Sequence, residues 1–390
     1  RRQKTEDRRQ KEVSYAPYKN RSSMNSKAHA DKTLFFSIMA LLLISVVMVY
    51  SSSSVVALTN YNDPAFFVKR QILWMLIGLA LMAVTMHTDH RALANQRAVV
   101  GLLVVSLLLL AATLIPSVGR EINGARRWLR LGSLTFQPSE LAKFAMVVYL
   151  SYYLSKKGER IRDFVNGLVP ACVVTGLFLG VTGLQPDFGA AMMLAGVMVI
   201  MIFAAGANVL HLGALAAASL PLVYFAVAGT AYRSRRIFAF LDPWSDPSGA
   251  GHQIIQSFLA FGSGGVFGRG LGEGRQKLLF LPERHSDFIY AVIGEELGLL
   301  GGLIVLFLFC MILWRGIRTS LTVGDRFSGL LALGITLLIC LQGFINMAVV
   351  TGLLPTKGTV LPFVSYGGSS LVIMMAAAGV LLNISKESGS

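Results

Sequence analysis

Apolar runs long enough to cross a lipid bilayer recur along nearly the whole of this sequence, from Leu34 to Ile384. A hydrocarbon core of about 30 Å takes about 20 helical residues to span, so lipid, not water, is the solvent against which the chain must be read. Its charge content agrees: 14% of the residues are charged, where about a quarter is usual for a soluble domain. Little length remains for a separate soluble domain. Cys172, Cys310 and Cys340 each lie inside an apolar run without paired spacing, which argues for core packing rather than a disulfide framework or a zinc site.

The apolar runs and their punctuation predict spans near 34–57, 69–87, 97–116, 138–154, 165–183, 187–206, 208–229, 288–313, 327–353 and 359–384. The expected fold is therefore an all-α integral membrane protein with ten transmembrane helices. It has a basic tail over residues 1–33, a ten-span domain over 34–384 and a short C-terminal tail over 385–390. An even count puts both termini on one side. Of the 35 Lys and Arg residues, 20 fall on that side, ten of them in the first 33 residues. The positive-inside bias makes it the cytoplasmic side. No cleavable secretory signal is read ahead of the first span.

The opposite face still carries 14 basic residues. Lys69 and Arg70 flank a helix and can snorkel to lipid headgroups. Of the rest, all but Lys357 gather in two loops, 117–137 and 230–287. The second is an extracytoplasmic loop of 58 residues between spans 7 and 8, well past the usual length of a structureless connection. Within it Gly262-Ser263-Gly264-Gly265-Val266-Phe267-Gly268-Arg269-Gly270 lacks a preceding strand and a Gly-Lys-Ser/Thr signature, so a nucleotide loop is rejected. A flexible, membrane-hugging loop is expected instead, with Ile254, Ile255, Phe258, Leu259 and Phe261 as its apolar face.

Two constellations can carry chemistry. In Gln137-Pro138-Ser139-Glu140-Leu141-Ala142-Lys143 the proline suits the first helical position. At 100° per residue Gln137, Glu140 and Lys143 then form one polar stripe, with Lys143 about 9 Å below the helix start. An intramembrane lysine is a functional candidate; a Glu140–Lys143 pair that merely holds the bundle together is the alternative. Arg126 and Arg127 in the preceding loop favour function. The second constellation, Leu281-Pro282-Glu283-Arg284-His285-Ser286-Asp287-Phe288, ends the long loop where a span opens. Asp287 there is either a helix cap or a general base facing an external cleft. Glu295 and Glu296, about two turns deeper, point 100° apart, so at most one can share a cavity with Asp287. Spans starting near 138, 187, 288 and 359 all turn their N-termini, with free N–H groups, to the outer face, where anions are stabilised.

These segments, together with Gln185 to Gly189 and Gly352-Leu353-Leu354-Pro355-Thr356-Lys357-Gly358 through Leu361 to Ser370, resemble the SEDS family (shape, elongation, division and sporulation) over residues 34–384. The Pro355-Thr356-Lys357-Gly358 stretch is more similar to the division branch of that family than to its elongation branch. The resemblance implies a multi-pass inner-membrane peptidoglycan glycosyltransferase that polymerises lipid II at the outer face, at the division septum. Its implied partners are a class B penicillin-binding protein, other divisome proteins and membrane lipid, with no nucleic acid. It also implies that Asp287 is catalytic, and that Arg127, Gln137, Glu140, Lys143 and Asp187 line the cavity. In that chemistry Asp287 deprotonates an acceptor hydroxyl, while Arg126, Arg127 and Lys143 bind and stabilise a departing lipid pyrophosphate. A divalent cation, Mg or Mn, could share that load. Direct displacement inverts the anomeric centre.

Two other classes of function compete. A flippase or permease for lipid-linked oligosaccharides needs a polar path reaching both faces, whereas Arg127, Lys143, Asp187 and Asp287 are all expected at the outer end. A noncatalytic scaffold leaves the buried charge stripe without a purpose.

Overall fold

The apolar runs become helices, several of them opened by a side-chain cap, as at Asp31, Asn95, Asp187 and Asp325. A computed structural model describes residues 30–122, 125–131, 134–229, 231–249, 251–275 and 285–388. Most of the basic tail, together with Lys277, Glu283 and Arg284 of the long loop, lies outside the described residues. In chain order the helices are α1 (Lys32–Tyr61), α2 (Phe66–His87), α3 (Gln96–Ala112), α4 (Pro138–Lys157), α5 (Val169–Leu184), α6 (Phe188–Ala204), α7 (Val209–Ala228), α8 (Ala231–Leu241), α9 (His252–Gly264), α10 (Ile289–Glu296), α11 (Gly298–Thr322), α12 (Arg326–Val350) and α13 (Gly368–Ser385). Among the described residues six helices are long and apolar enough to cross a membrane: α1, α2, the segment Phe164–Leu184 that contains α5, α11, α12 and α13.

Small residues let the helices approach closely, as expected where packing rather than water drives association. Gly334 of α12 faces Val147 of α4 and Met201 of α6, so a side chain there would collide with both neighbours. Gly379 of α13 lies against the Met82 backbone of α2 in the same way. Of the six, α12 and α13 are the most enclosed. α12 packs on α4, α6, α11 and α13, and its residues line the centre of the bundle.

Three features differ from the expectation. First, the loop 117–137 is not irregular, and the chain is not wholly helical. Strands β1 (Gly119–Ile122), β2 (Ala125–Leu131) and β3 (Leu134–Phe136) form an antiparallel sheet in the order β1-β2-β3, with Arg120 opposite Trp128 and Leu129 opposite Phe136. Alternation along β2 buries Ala125 and Leu129 and exposes Arg126 and Arg130. Secondly, the span expected at 288–313 is broken at Leu297–Gly298, where Gly298 has φ +69°. Its backbone abuts Gly268 and Val266 so closely that a side chain could not fit. Thirdly, the last helix starts at Gly368 rather than near 359. Pro362 cannot donate a helical hydrogen bond and disfavours helical geometry at Leu361, and Phe363 takes φ +65°. Residues 351–367 instead form an irregular strap across the end of the bundle.

The long loop is also more ordered than expected. It contains α8 and α9, and α9 buries Ile254 and Ile255 while Phe258 and Leu259 remain exposed. The glycine-rich run after α9 is pinned rather than loose. The Arg269 and Gly270 N–H groups donate to the carbonyls of Glu295 and Glu296. The Gly272 and Arg275 N–H groups donate to the carboxylates of Glu296 and Glu295 at 3.2 and 2.7 Å. Both carboxylates are buried, and both are turned toward this loop, with Ser51 of α1 donating to Glu296.

Candidate active site

The polar residues of the two constellations gather where the N-termini of α4, α6, α10 and α13 meet the strap. Gln137 is the N-cap of α4, with Pro138 at the first helical position. Asp187 caps α6 by accepting the Ala190 N–H at 3.1 Å. The same Asp187 carboxylate accepts from Gln137 Nε2 and Ser139 Oγ, each at 3.4 Å, and pairs with Arg127 Nη1 at 3.7 Å. The start of α4 and the Asp187 corner at the start of α6 therefore touch. The Gln137 backbone N–H also donates to Ser369 Oγ, at the start of α13, at 3.1 Å.

One turn into α4, Lys143 Nζ donates to Glu140 Oε1 at 2.9 Å and to Gln342 Oε1 of α12 at 2.6 Å. Both charged side chains are buried, and Glu140 Oε2 and Arg127 Nε are buried without a hydrogen-bond partner. Arg127 shares the inward face of β2 with Ala125 and Leu129. Arg126, next in line on the opposite face, is exposed and pairs with Glu121 at 3.1 Å. The structure therefore does not bring Arg126 into the cluster: successive residues of a strand point to opposite faces, a distinction invisible while the segment is read as a loop.

Asp287 is not a helix cap. Phe288 holds that position for α10 and makes no side-chain capping bond. The Asp287 carboxylate instead packs on Gly358 of the strap, where a Cβ would stand 3.0 Å from Oδ2. Gly358 in turn presents its carbonyl to Gly189, which also lies beside Asp187 and the Cε of Lys357. A single residue of backbone thus separates the Asp287 side from the Asp187 side. The loop carrying Asp287 is tied to the strap by Ser365 Oγ donating to the Ser286 carbonyl at 2.6 Å and by the Tyr366 N–H donating to the His285 carbonyl at 2.9 Å.

Lys357 belongs to this cluster; sequence reasoning places it on the outer face and in the Pro355-Thr356-Lys357-Gly358 stretch of the family resemblance, without a role at the site. Burial pushes its ammonium down to about 8; Asp187 opposes that shift and Lys143 reinforces it. Arg236 of α8 reaches the strap as well, donating to the Thr356 carbonyl at 3.3 Å. Gln342 and Asn346 on α12 were also missed, although two amides four residues apart in an apolar run are a readable polar stripe. Among the described residues no group of three His, Cys, Asp or Glu side chains is placed to hold a metal ion. Asp187 is engaged by Arg127, Gln137 and Ser139, and one oxygen of Glu140 by Lys143, while Glu140 Oε2 has no hydrogen-bond partner. No step is assigned to a divalent cation.

Comparison with known proteins agrees with the architecture. A family model described as Cell cycle protein, covering FtsW, RodA and SpoVE, matches residues 32–390. The chain belongs to this FtsW/RodA/SpoVE family. The SEDS resemblance is thereby established, with FtsW proteins prominent among the relatives. A Geobacter metallireducens protein named Probable peptidoglycan glycosyltransferase FtsW is 46% identical over 355 residues, 91% of this chain and 94% of the relative. Stage V sporulation protein E of Bacillus subtilis is 44% identical over 363 residues, 93% and 98% of the two chains. A chain solved in a study of how a peptidoglycan synthase complex coordinates polymerization and crosslinking superposes with a TM-score of 0.74 at 32% identity, covering 92% of this chain and 98% of the other. The Thermus thermophilus rod shape determining protein RodA superposes at 0.67 with 28% identity, over 91% and 96%.

Proposed function

We propose that this family member is a peptidoglycan glycosyltransferase that polymerises lipid II at the outer face of the inner membrane, in septal wall synthesis. The observation that carries the reading is the strap: it sets the Asp287 carboxylate against Gly358 while the adjoining Lys357 lies with Asp187, near Lys143. Arg127 completes the cation set through its pair with Asp187. Asp287 takes the proton of the acceptor sugar's hydroxyl, whose oxygen forms the new bond to the donor's anomeric carbon. The bond from that carbon to the lipid pyrophosphate breaks, and Arg127, Lys143 and Lys357 stabilise the departing anion with help from the α4 and α6 N-termini. No acid is needed for this leaving group, because a pyrophosphate departs as a stabilised anion. Direct displacement inverts the anomeric centre.

In this reading α1 to α7, the α10–α11 pair, α12 and α13 make ten crossings, both termini are cytoplasmic, and α8 and α9 lie in an extracytoplasmic loop between the seventh and eighth. A class B penicillin-binding protein is the proposed partner, in keeping with the fold shared with a chain of a peptidoglycan synthase complex. Other divisome proteins complete the setting. The test is purified protein incubated with lipid II in detergent, with and without a cross-linking partner. Glycan polymer supports the reading. Translocation of lipid II across vesicles without any polymer would favour a flippase instead.

A further inference from the structure

Gln342 and Asn346 lie one helical turn apart on α12, at 2% and 1% exposure, and therefore share a face. An amide's oxygen and nitrogen are told apart by their partners, and here the partners leave no choice. Gln342 Oε1 meets the Lys143 ammonium, which can only donate, at 2.6 Å, and its Nε2 meets the Val360 carbonyl, which can only accept, at 3.2 Å. Asn346 Nδ2 donates to two carbonyls, those of Asp287 at 2.8 Å and Thr359 at 2.5 Å. The two amides thus form a ladder on one rigid helix, with consecutive strap residues, Thr359 and Val360, on successive rungs. One rung also holds the backbone of Asp287 and the other also holds the head of Lys143.

We infer that Gln342 and Asn346 are positioning residues, which fix the distance between the Asp287 carboxylate and the Lys143 ammonium by referencing both to α12 through the strap. The inference rests on the function proposed above. Amides suit this task because they accept and donate without carrying charge. Gln342 orients Lys143 beside the Glu140 carboxylate without adding a second negative charge to the pair. Asn346 holds Asp287 by its backbone carbonyl, so this bond itself occupies neither carboxylate oxygen.

The test compares variants of the full chain for lipid II polymerisation in detergent, with turnover normalised to folded, monodisperse protein. Asn346→Asp keeps the side chain's shape and removes both donors. It is expected to lower kcat about 10²-fold while KM changes less than about 3-fold, since misplacing a reacting group acts on the transition state. Gln342→Leu, apolar and unable to make either bond, probes the other rung and is expected to show the same split, so a folding failure of Asn346→Asp does not end the test. A purely structural role would reduce the yield of folded protein and leave kcat per folded molecule unchanged, which overturns the inference. Asp287→Asn is run alongside. If it is inactive and both amide variants turn over like the parent, the positioning role falls and the proposed function stands; if Asp287→Asn itself turns over normally, the proposed function falls first.

Discussion

Replacing Lys143 by Met separates a catalytic lysine from a packing one. Its side chain is 4% exposed and that of the partnering Glu140 5%, with 2.9 Å between charged atoms. Glu140 already has one buried oxygen without a partner, so Lys143→Met strands the whole carboxylate. Breaking a buried pair by removing one member costs about 3–5 kcal/mol. Removing a preorganised charge from a developing anion costs about 10²–10³ in kcat, or about 2.7–4 kcal/mol of barrier, each factor of ten being about 1.4 kcal/mol. The two effects are of equal size, so the single variant cannot tell them apart. The double variant Glu140→Gln with Lys143→Met can, because it removes the stranded charge. The expected result is recovery of most of the lost thermal stability, read by melting in detergent, with no recovery of lipid II turnover per folded molecule. Turnover returning together with stability would refute a role for Lys143 in charge stabilisation and leave it a structural partner of Glu140.

Arg126 and Arg127 should behave as opposites despite being neighbours. Arg126→Ala removes an exposed pair with Glu121, worth about 0–1 kcal/mol, and should leave polymerisation unchanged, whereas Arg127→Ala should lower it at least about tenfold; equal losses would contradict the strand alternation described above. Lys357, with its ammonium at about 8 rather than 10.5, should lose its charge as pH rises through about 8, so turnover at subsaturating lipid II should fall there. Lys357→Arg, which stays charged, should flatten that limb, and coincident profiles would exclude Lys357 from binding. Stability moves the other way: between about 8 and 10.5 the unfolded chain holds the proton that the native lysine has lost, so this group's contribution to stability rises with pH across that window. Gly298→Ala forces a side chain at φ +69° into the Gly268 and Val266 backbone. It should cost at least about 1–3 kcal/mol, and an unchanged melting temperature would show that the junction of α10 and α11 yields more readily than its geometry implies.

The helical runs were legible because membrane-length apolarity is a property of local sequence. So was the stripe of α4, where 100° spacing alone places Glu140 and Lys143 on one face, and the structure puts them in contact. What escaped depends on tertiary context. Ala125 to Leu131 carries three arginines, which disguise a strand whose inward face, among the described side chains, holds Ala125, Arg127 and Leu129. The start of the last helix was misplaced because residues 359–367 are apolar enough to pass for a span, yet Pro362 and the bonds to Ser286 and His285 hold them out of a helix. Lys357 gave no local sign that the strap folds it back toward Asp187, a residue 170 positions earlier. At most one of Glu295 and Glu296 was expected to share a cavity with Asp287, and both are buried acids; their bonding to a glycine-rich loop lies beyond what spacing can reveal.

The central claim is that the carboxylate packed on Gly358 is the base of a glycan polymerase. It is tested most directly by incubating purified Asp287→Asn protein with lipid II and resolving the products on a gel beside the parent chain. Loss of a positioned general base lowers the rate by about 10²–10⁴, so the variant should remain folded and yield no glycan strands above background. Strands formed at the parental rate by the folded variant would contradict the account.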